Sequence, residues 1–111
     1  MMNFKEVLAD VNVIVSPATA VTAPPIPADA VANGESDLST VTELMRFIFA
    51  TNLTGHPSIS FPVGYDSKGL PIGMQATARA WHEHTLLRLA NVADTLVEKK
   101  KPQAYWGILK D

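Results

Sequence analysis

Apolar residues recur at helical or alternating spacing along most of this chain, and polar or proline-rich breaks separate the runs. Recurrence every three to four residues is typical of a helix that buries one face, and strict alternation is typical of a half-buried strand. The predicted order is a helix over 3–9, a strand over 10–15, a long loop over 17–33, a helix between 40 and 55, a hairpin of strands 58–63 and 70–78, and a helix from 82 to about 100.

The strand predictions depend on β-branched residues and on the positions of glycine and proline. Residues 10–15 end in three β-branched residues, and a run that is apolar on both faces suits a strand buried inside a sheet. In 58–63 serines alternate with apolar residues, which predicts one buried face. The short link at 65–69 contains a glycine, so we expect 58–63 and 70–78 to pair as an antiparallel hairpin.

The two longer helices carry end signals as well as apolar stripes. Thr40, with Glu43 three residues later, fits a capping box in which Thr40 is the N-cap. Gly55 is a natural residue to follow a helix end, and Pro57 forbids continuation. In the last helix we expect the lysines at 99–101 to face the negative end of the helix dipole. Its predicted apolar stripe is Leu86, Leu89, Ala90, Ala93, Leu96 and Val97.

Two segments have no helical or strand pattern of their own. Residues 17–33 contain four prolines, and so long a loop is usually functional or lies over a neighbouring element. Residues 103–111 carry aromatic and aliphatic side chains, and a tail this apolar should dock on the protein. Three strands are few for a stable sheet. We therefore interpret the chain as an incomplete piece of a larger layered α/β fold.

Composition and charge narrow the classes of function. Hydrophobic residues make up 47% of the chain, which is typical of globular proteins and argues against disorder throughout. The net charge is −2 and the basic residues are scattered except at 99–101, so the basic face of a nucleic-acid-binding protein is not expected. The lack of cysteine excludes disulfides. No apolar run approaches the roughly 18 residues that span a membrane.

The histidines do not form a known metal-binding motif. His82-Glu83-His84 lacks the His-Glu-x-x-His spacing of zinc enzymes. Residues two apart on a helix point about 200° apart, so we expect solvated side chains and no metal site. His56 lies in a loop before Pro57 and could act as a base, although a packed or surface loop residue is the simpler interpretation.

The serines and glycines also have structural explanations. Ser16, Ser58 and Ser60 could be nucleophiles, but none lies in a Gly-x-Ser-x-Gly turn. We favour hydroxyls that bond to the backbone of a strand or turn. The glycines at 69–73 enclose Pro71 and do not form a phosphate-binding loop.

A cluster of large apolar residues in the predicted middle helix, Met45, Phe47 and Phe49, is a candidate ligand wall. Met45 and Phe49 also share a helix face with Thr42, at positions i, i+3 and i+7. The residues alone leave two alternatives open, a wall that binds a ligand and ordinary core packing.

Residues 52–75 resemble the C-terminal part of the amidase signature family. The family pattern is Asn-x-x-Gly-x-Pro, then a strand that ends in Pro-Val-Gly, then Gly-Leu-Pro-x-Gly-x-Gln. It is matched here by Asn52, Gly55, Pro57, Pro62, Val63, Gly64, Gly69, Leu70, Pro71, Gly73 and Gln75. Further positions that match the family, or the plant fatty acid amide hydrolases within it, are 10–17, 24–27, 33–35, 44–47, Arg79, Trp81, Glu83, Leu86, Leu87 and 101–109.

This resemblance implies a fold and an activity. Members of the family are serine amidases of α/β/α architecture with a Ser-Ser-Lys triad, and no Gly-Ser-Ser-type run occurs in these 111 residues. We therefore expect 1–111 to be the C-terminal part of an amidase domain, without a catalytic residue, cofactor or metal. The implied substrate of the intact enzyme is a fatty amide such as an N-acylethanolamine. By spacing back from Asn52, the implied acyl-channel positions are Thr42, Met45 and Phe49.

The resemblance is also compatible with a homodimer of the intact enzyme and with a membrane-associated compartment such as the endoplasmic reticulum. The residues themselves demand neither. The alternative hypothesis is a short non-catalytic protein that acts as an interaction module. An incomplete α/β layer exposes apolar surface, and such patches mark sites of association.

Overall fold

The computed structural model describes residues 4–101, and its elements follow the predicted order of helix, strand, loop, helix, hairpin and helix. Two features of the element list differ from the prediction, a short helix inside the long loop and a division of the middle helix. The elements are α1 (Phe4–Asp10), β1 (Val13–Pro17), α2 (Ala30–Asn33), α3 (Leu38–Met45), α4 (Phe49–Thr54), β2 (Ser58–Tyr65), β3 (Pro71–Ala78) and α5 (Glu83–Leu96). The tail at 103–111, which we expected to dock, lies outside the described residues.

The three strands form one antiparallel sheet in the order β1-β3-β2. The predicted hairpin is confirmed, since β2 pairs with β3 from Ser58 opposite Thr77 to Tyr65 opposite Pro71. The register shifts between Pro62 and Gly64. Proline has no N–H to donate to the ladder, so an irregularity at this point lets pairing continue beyond it.

The position of β1 corrects a prediction. In the sheet of the described residues β1 lies at an edge, and Val15 is 48% exposed. The central strand is β3, which pairs on both sides even though its sequence carries Pro71 and Gly73. An apolar run does not reveal how many partners a strand has. Pro71 is tolerated because it is the first residue of β3, where the missing N–H interrupts the hydrogen-bond ladder least.

Helix α5 packs on one face of this sheet, and the turn between α3 and α4 contacts the other face. On one face, small residues Ala76 and Ala78 let α5 approach closely and bury Leu86. Partly buried side chains complete this core, namely Val13, Ile59, Phe61 and Leu89. On the other face, the Gln75 side-chain amide reaches the Phe47 carbonyl oxygen at 3.5 Å. The turn between α3 and α4 therefore lies against the centre of the sheet.

The last helix is shorter than predicted. It ends at Leu96, where Val97 turns to an extended conformation, so the lysines of 99–101 lie beyond its last turn. Lys99 instead forms an exposed ion pair with Asp94, with 2.7 Å between the charged atoms. The backbone N–H of Lys100 donates to the Tyr65 hydroxyl at 2.9 Å. These contacts with nearby groups replace the expected alignment with the helix dipole.

The proline-rich loop is tied to the hairpin at its start, as expected for a loop that lies over a neighbour. The Ala18 N–H donates to the Gly73 carbonyl at 3.0 Å, and the Thr22 hydroxyl donates to the Asp66 carboxylate at 3.0 Å. Asp66 also accepts the N–H groups of Lys68 and Leu70. Its pKa is lowered, chiefly by the bond from the Leu70 N–H. This carboxylate therefore holds both the hairpin turn and the loop.

The start of α3 corrects the predicted capping box. The N-cap is Asp37, three residues before Thr40, and its carboxylate accepts hydrogen bonds from the N–H groups of Ser39 and Thr40. The hydroxyls of Ser39 and Thr40 also donate to it, at 2.8 and 2.6 Å. Aspartate is at least as good an N-cap as threonine, and here it has two hydroxyl donors as well. Thr40 therefore lies inside the helix and supports the cap.

Acidification tests this cap. Hydrogen bonds from Thr40, with further bonds from Ser39, lower the pKa of Asp37 to about 2 from 3.8. Because the folded state favours the charged form, the contribution of the cap to stability is complete above pH 3.8 and is lost as the pH falls towards 2. We expect the protection factors of the α3 amides, which are exchange rates corrected for the intrinsic pH dependence, to fall over that range and to lose this fall in Asp37→Asn. Glu35→Gln, a nearby exposed control, should behave like the unmodified chain.

Candidate functional site

The three predicted channel residues lie on both sides of a helix break. Thr42 and Met45 belong to α3, and Phe49 is the first residue of α4. Thr42 is exposed, and its hydroxyl donates to the Leu38 carbonyl oxygen at 2.7 Å. Met45 is half-buried, and Phe49 is 61% exposed. Thr42 and Met45 therefore share a helix face as predicted, whereas Phe49 belongs to a second helix.

The break itself is a tightened turn over residues 46–48. The Arg46 N–H donates to the Glu43 carbonyl at 3.3 Å, and the Ile48 N–H donates to the Met45 carbonyl at 3.0 Å. Bonds to the third preceding residue wind the backbone more tightly than an α-helix does. The expectation of one unbroken helix is therefore wrong, and α-helical spacing cannot relate Phe49 to Thr42. The contact of Gln75 with Phe47 identifies the tertiary partner of this turn.

Several further apolar side chains of α3 and α4 are exposed. Leu38 is 78% exposed, Val41 49% and Leu53 83%. We name the exposed or half-buried set Leu38, Val41, Thr42, Met45 and Phe49 the α3–α4 wall. Exposed apolar surface of this kind marks a site for a ligand or for another part of a protein. Sequence reasoning misses Leu38, because the predicted helix begins two residues after it.

The histidines and serines occupy structural positions. The rings of His82 and His84 lie 5.4 Å apart, closer than expected for two residues of one helix, because His82 is the N-cap and lies outside α5. Within 4–101, no group of three or more metal-binding side chains is assembled. The Ser16 hydroxyl donates to the Pro17 carbonyl, as expected for a backbone role. The Ser58 hydroxyl bonds instead to the Thr77 hydroxyl at 3.0 Å.

The helices of the described part are also too short or too polar to cross a membrane. The longest, α5, has 14 residues and is buried on one side only. The described residues thus present an apolar wall on one face of the sheet and bring no recognisable catalytic group to it.

Comparison with known proteins identifies relatives along nearly the whole chain. The Amidase family model matches residues 1–87. The chain is 51% identical to a fatty acid amide hydrolase of Arabidopsis thaliana over 104 residues. The matched segment covers 93% of this chain and 17% of the Arabidopsis protein. It is 47% identical over 111 residues to the fatty acid amide hydrolase of Medicago truncatula, covering 98% of this chain and 18% of the relative.

A more distant similarity extends to bacterial proteins. One subunit of the glutamyl-tRNA(Gln) amidotransferase of Chelativorans sp. (strain BNC1) is 36% identical over 100 residues, which cover 88% of this chain and 19% of the relative. The chain spans less than a fifth of the length of each of these relatives.

Proposed function

Because this chain belongs to the amidase family, we propose that it is the C-terminal region of a serine amidase that hydrolyses fatty amides, N-acylethanolamines among them. Identities of 51% and 47% to plant fatty acid amide hydrolases support this choice of substrate over the other amides that the family accepts. We further propose that residues 1–111 are one part of an amidase domain and that the rest of the domain supplies the catalytic groups.

The proposed chemistry divides amide hydrolysis into two steps. A serine outside this chain attacks the amide carbonyl carbon, the amine leaves with a proton, and the acyl group stays on the serine as an ester. Water then hydrolyses that ester and releases the fatty acid. No residue of this chain takes part in bond making. Its proposed role is to hold the acyl chain beside the nucleophile.

The α3–α4 wall is the observation that carries this proposal. An acyl chain offers only apolar surface, so it binds by removing that surface from water, at about 25 cal/mol per Å². Phe49, 61% exposed, has most of its ring available for such contact. Met45 is half-buried and flexible, and such side chains adapt to chains of different shape. Contact with Gln75 holds the turn between these two residues against the sheet.

Thr42→Ala tests the wall in the full-length enzyme. Removing the hydroxyl and methyl groups takes away apolar contact equivalent to about one buried methylene group, about 0.8 kcal/mol. We therefore expect kcat/KM for long-chain amides to fall about fourfold. Short-chain amides should be unaffected. Alanine favours helix formation, so the change should not weaken α3.

The matched control for this change is Thr54→Ala. Thr54 is exposed on α4, and its hydroxyl donates to the Ala50 carbonyl at 2.7 Å, as Thr42 does to Leu38. It lies outside the α3–α4 wall and should leave both substrates unaffected. If Thr42→Ala lowered kcat/KM equally for long and short amides, the assignment of the acyl channel would be wrong. The assignment of the chain to an amidase would be unaffected.

A second candidate function is a non-catalytic interaction module. It is favoured by strongly exposed apolar side chains away from the wall, such as Val31 at 91% and Leu96 at 79%. The isolated 111-residue chain discriminates between the two. A monomer with a cooperative thermal transition would support an independent module, whereas aggregation or a transition without cooperativity would support a part of a larger enzyme. The mass of the native polypeptide provides an independent check.

A further inference from the structure

A cleft beside α1 lies apart from the α3–α4 wall. Its volume is about 520 Å³, which is within the range of small-molecule sites, about 300–1,000 Å³. Apolar side chains form much of its surface, among them Leu8 and Ala9 from α1 and Ala80 from the connection between β3 and α5. Leu8 is fully buried, so the exposed apolar surface of the cleft comes from Ala9 and Ala80.

The charged groups of the cleft all have the same sign. Lys5 and Arg79 line it, and no aspartate or glutamate belongs to its lining among residues 4–101. Arg79 is exposed and forms no ion pair with a described residue. Glu83, the acid nearest to Arg79 along the chain, lines a separate cleft beside Leu86 and Leu87. Glu6 and Asp10 belong to α1 next to Lys5 and Ala9, but neither lines the cleft. A concave apolar surface that carries a guanidinium without an acidic partner among residues 4–101 concentrates positive potential and attracts anions.

Two imidazoles complete the lining. His56 lies against Phe4, with 5.3 Å between the ring centres, and its Nδ1 is buried without a hydrogen-bond partner among the described residues. His82 also lines the cleft, and its ring lies 5.4 Å from that of His84. Imidazole nitrogens can donate hydrogen bonds to oxygen atoms. Arg79 and His82 therefore add hydrogen-bond donors to the apolar part of the lining.

We propose that this cleft binds an amphipathic carboxylate, an apolar chain that ends in a single carboxyl group. The carboxylate pairs with the Arg79 guanidinium, whose planar fork matches its two oxygens. The chain lies on Ala9 and Ala80. The proposed binding of a carboxylate is independent of the proposed amide hydrolysis, so either proposal can fail without the other. Thr42, Met45 and Phe49 do not line this cleft.

Calorimetric titration of the full-length protein with octanoate tests the site. Arg79→Gln removes a charge-assisted pair and should weaken octanoate binding at least about tenfold. Arg88→Gln removes another exposed guanidinium, from α5 and outside the cleft, and should leave the affinity for octanoate unchanged. Octanol, of equal length but uncharged, should bind at least about tenfold more weakly than octanoate.

Other outcomes overturn the proposal. Octanol binding as tightly as octanoate would show an apolar groove without a carboxylate site, and the absence of octanoate binding would show that the cleft is not a ligand site. If Arg79→Gln and Arg88→Gln weakened octanoate binding equally, octanoate would be attracted by the general positive charge of the protein and not by a site in the cleft. If Arg79→Gln fails to fold, Ala80→Asp provides a second test. It places a carboxylate at an exposed position of the lining and should abolish octanoate binding.

Discussion

Leu86→Ala is expected to lower the free energy of unfolding by about 2–3 kcal/mol, within the lower half of the range for buried leucine-to-alanine changes. Leu86 is 3% exposed and is the buried contact of α5 with Ala76 and Ala78 of the central strand. Its further neighbours Ile59 and Leu89 are only partly buried, so they can relax into the space that the change creates. Urea denaturation of the protein measures the effect.

Leu87→Ala is the matched control for this change. It alters the next residue of the same helix, but Leu87 is 63% exposed. The change in the free energy of unfolding should stay within about 0.5 kcal/mol, as it does for most surface substitutions. Similar losses at both positions would mean that α5 is not oriented on the sheet as described. A far larger loss at Leu87 would mean that another part of the polypeptide covers the outer side of α5.

Phe49→Arg is expected to reduce kcat/KM for long-chain fatty amides at least about a hundredfold. An acyl chain seated on the α3–α4 wall would desolvate the new guanidinium, and an unpaired buried charge is unfavourable by about 3 kcal/mol or more. The change should not unfold the chain, because the Phe49 ring is 61% exposed. Steady-state kinetics of the full-length enzyme on amides of long and short acyl chains provide the measurement.

Val92→Arg is the control for the introduced charge. Val92 is 55% exposed, similar to Phe49, and lies on α5 at the opposite face of the sheet. Phe49→Leu keeps the site apolar and should retain most long-chain activity. If Phe49→Arg and Val92→Arg reduce activity equally, or if short amides lose as much as long ones, the wall does not bind the acyl chain. A normal melting temperature excludes misfolding as the cause.

The candidate site was only partly accessible to prediction. Helical spacing correctly placed Thr42 and Met45 on one face, because both belong to a regular helix. It failed at Phe49, because the turn before this residue departs from α-helical hydrogen bonding. The run of bulky residues at 47–49 is a local signal for such a break, since aromatic and β-branched side chains lose freedom in a helix.

The sequence by itself determined the kinds of elements, their order and the hairpin pairing, since helix stops, turns and alternation act between residues close together along the chain. Gly55 illustrates this, with its left-handed conformation at the end of α4. Only the tertiary structure decided that β3 is central and that the middle helix breaks. Both outcomes involve partners distant along the chain, such as Gln75 for the turn at Phe47. The local sequence pattern cannot tell which of several distant partners an element will choose, because the free energy of each contact exists only in the folded chain.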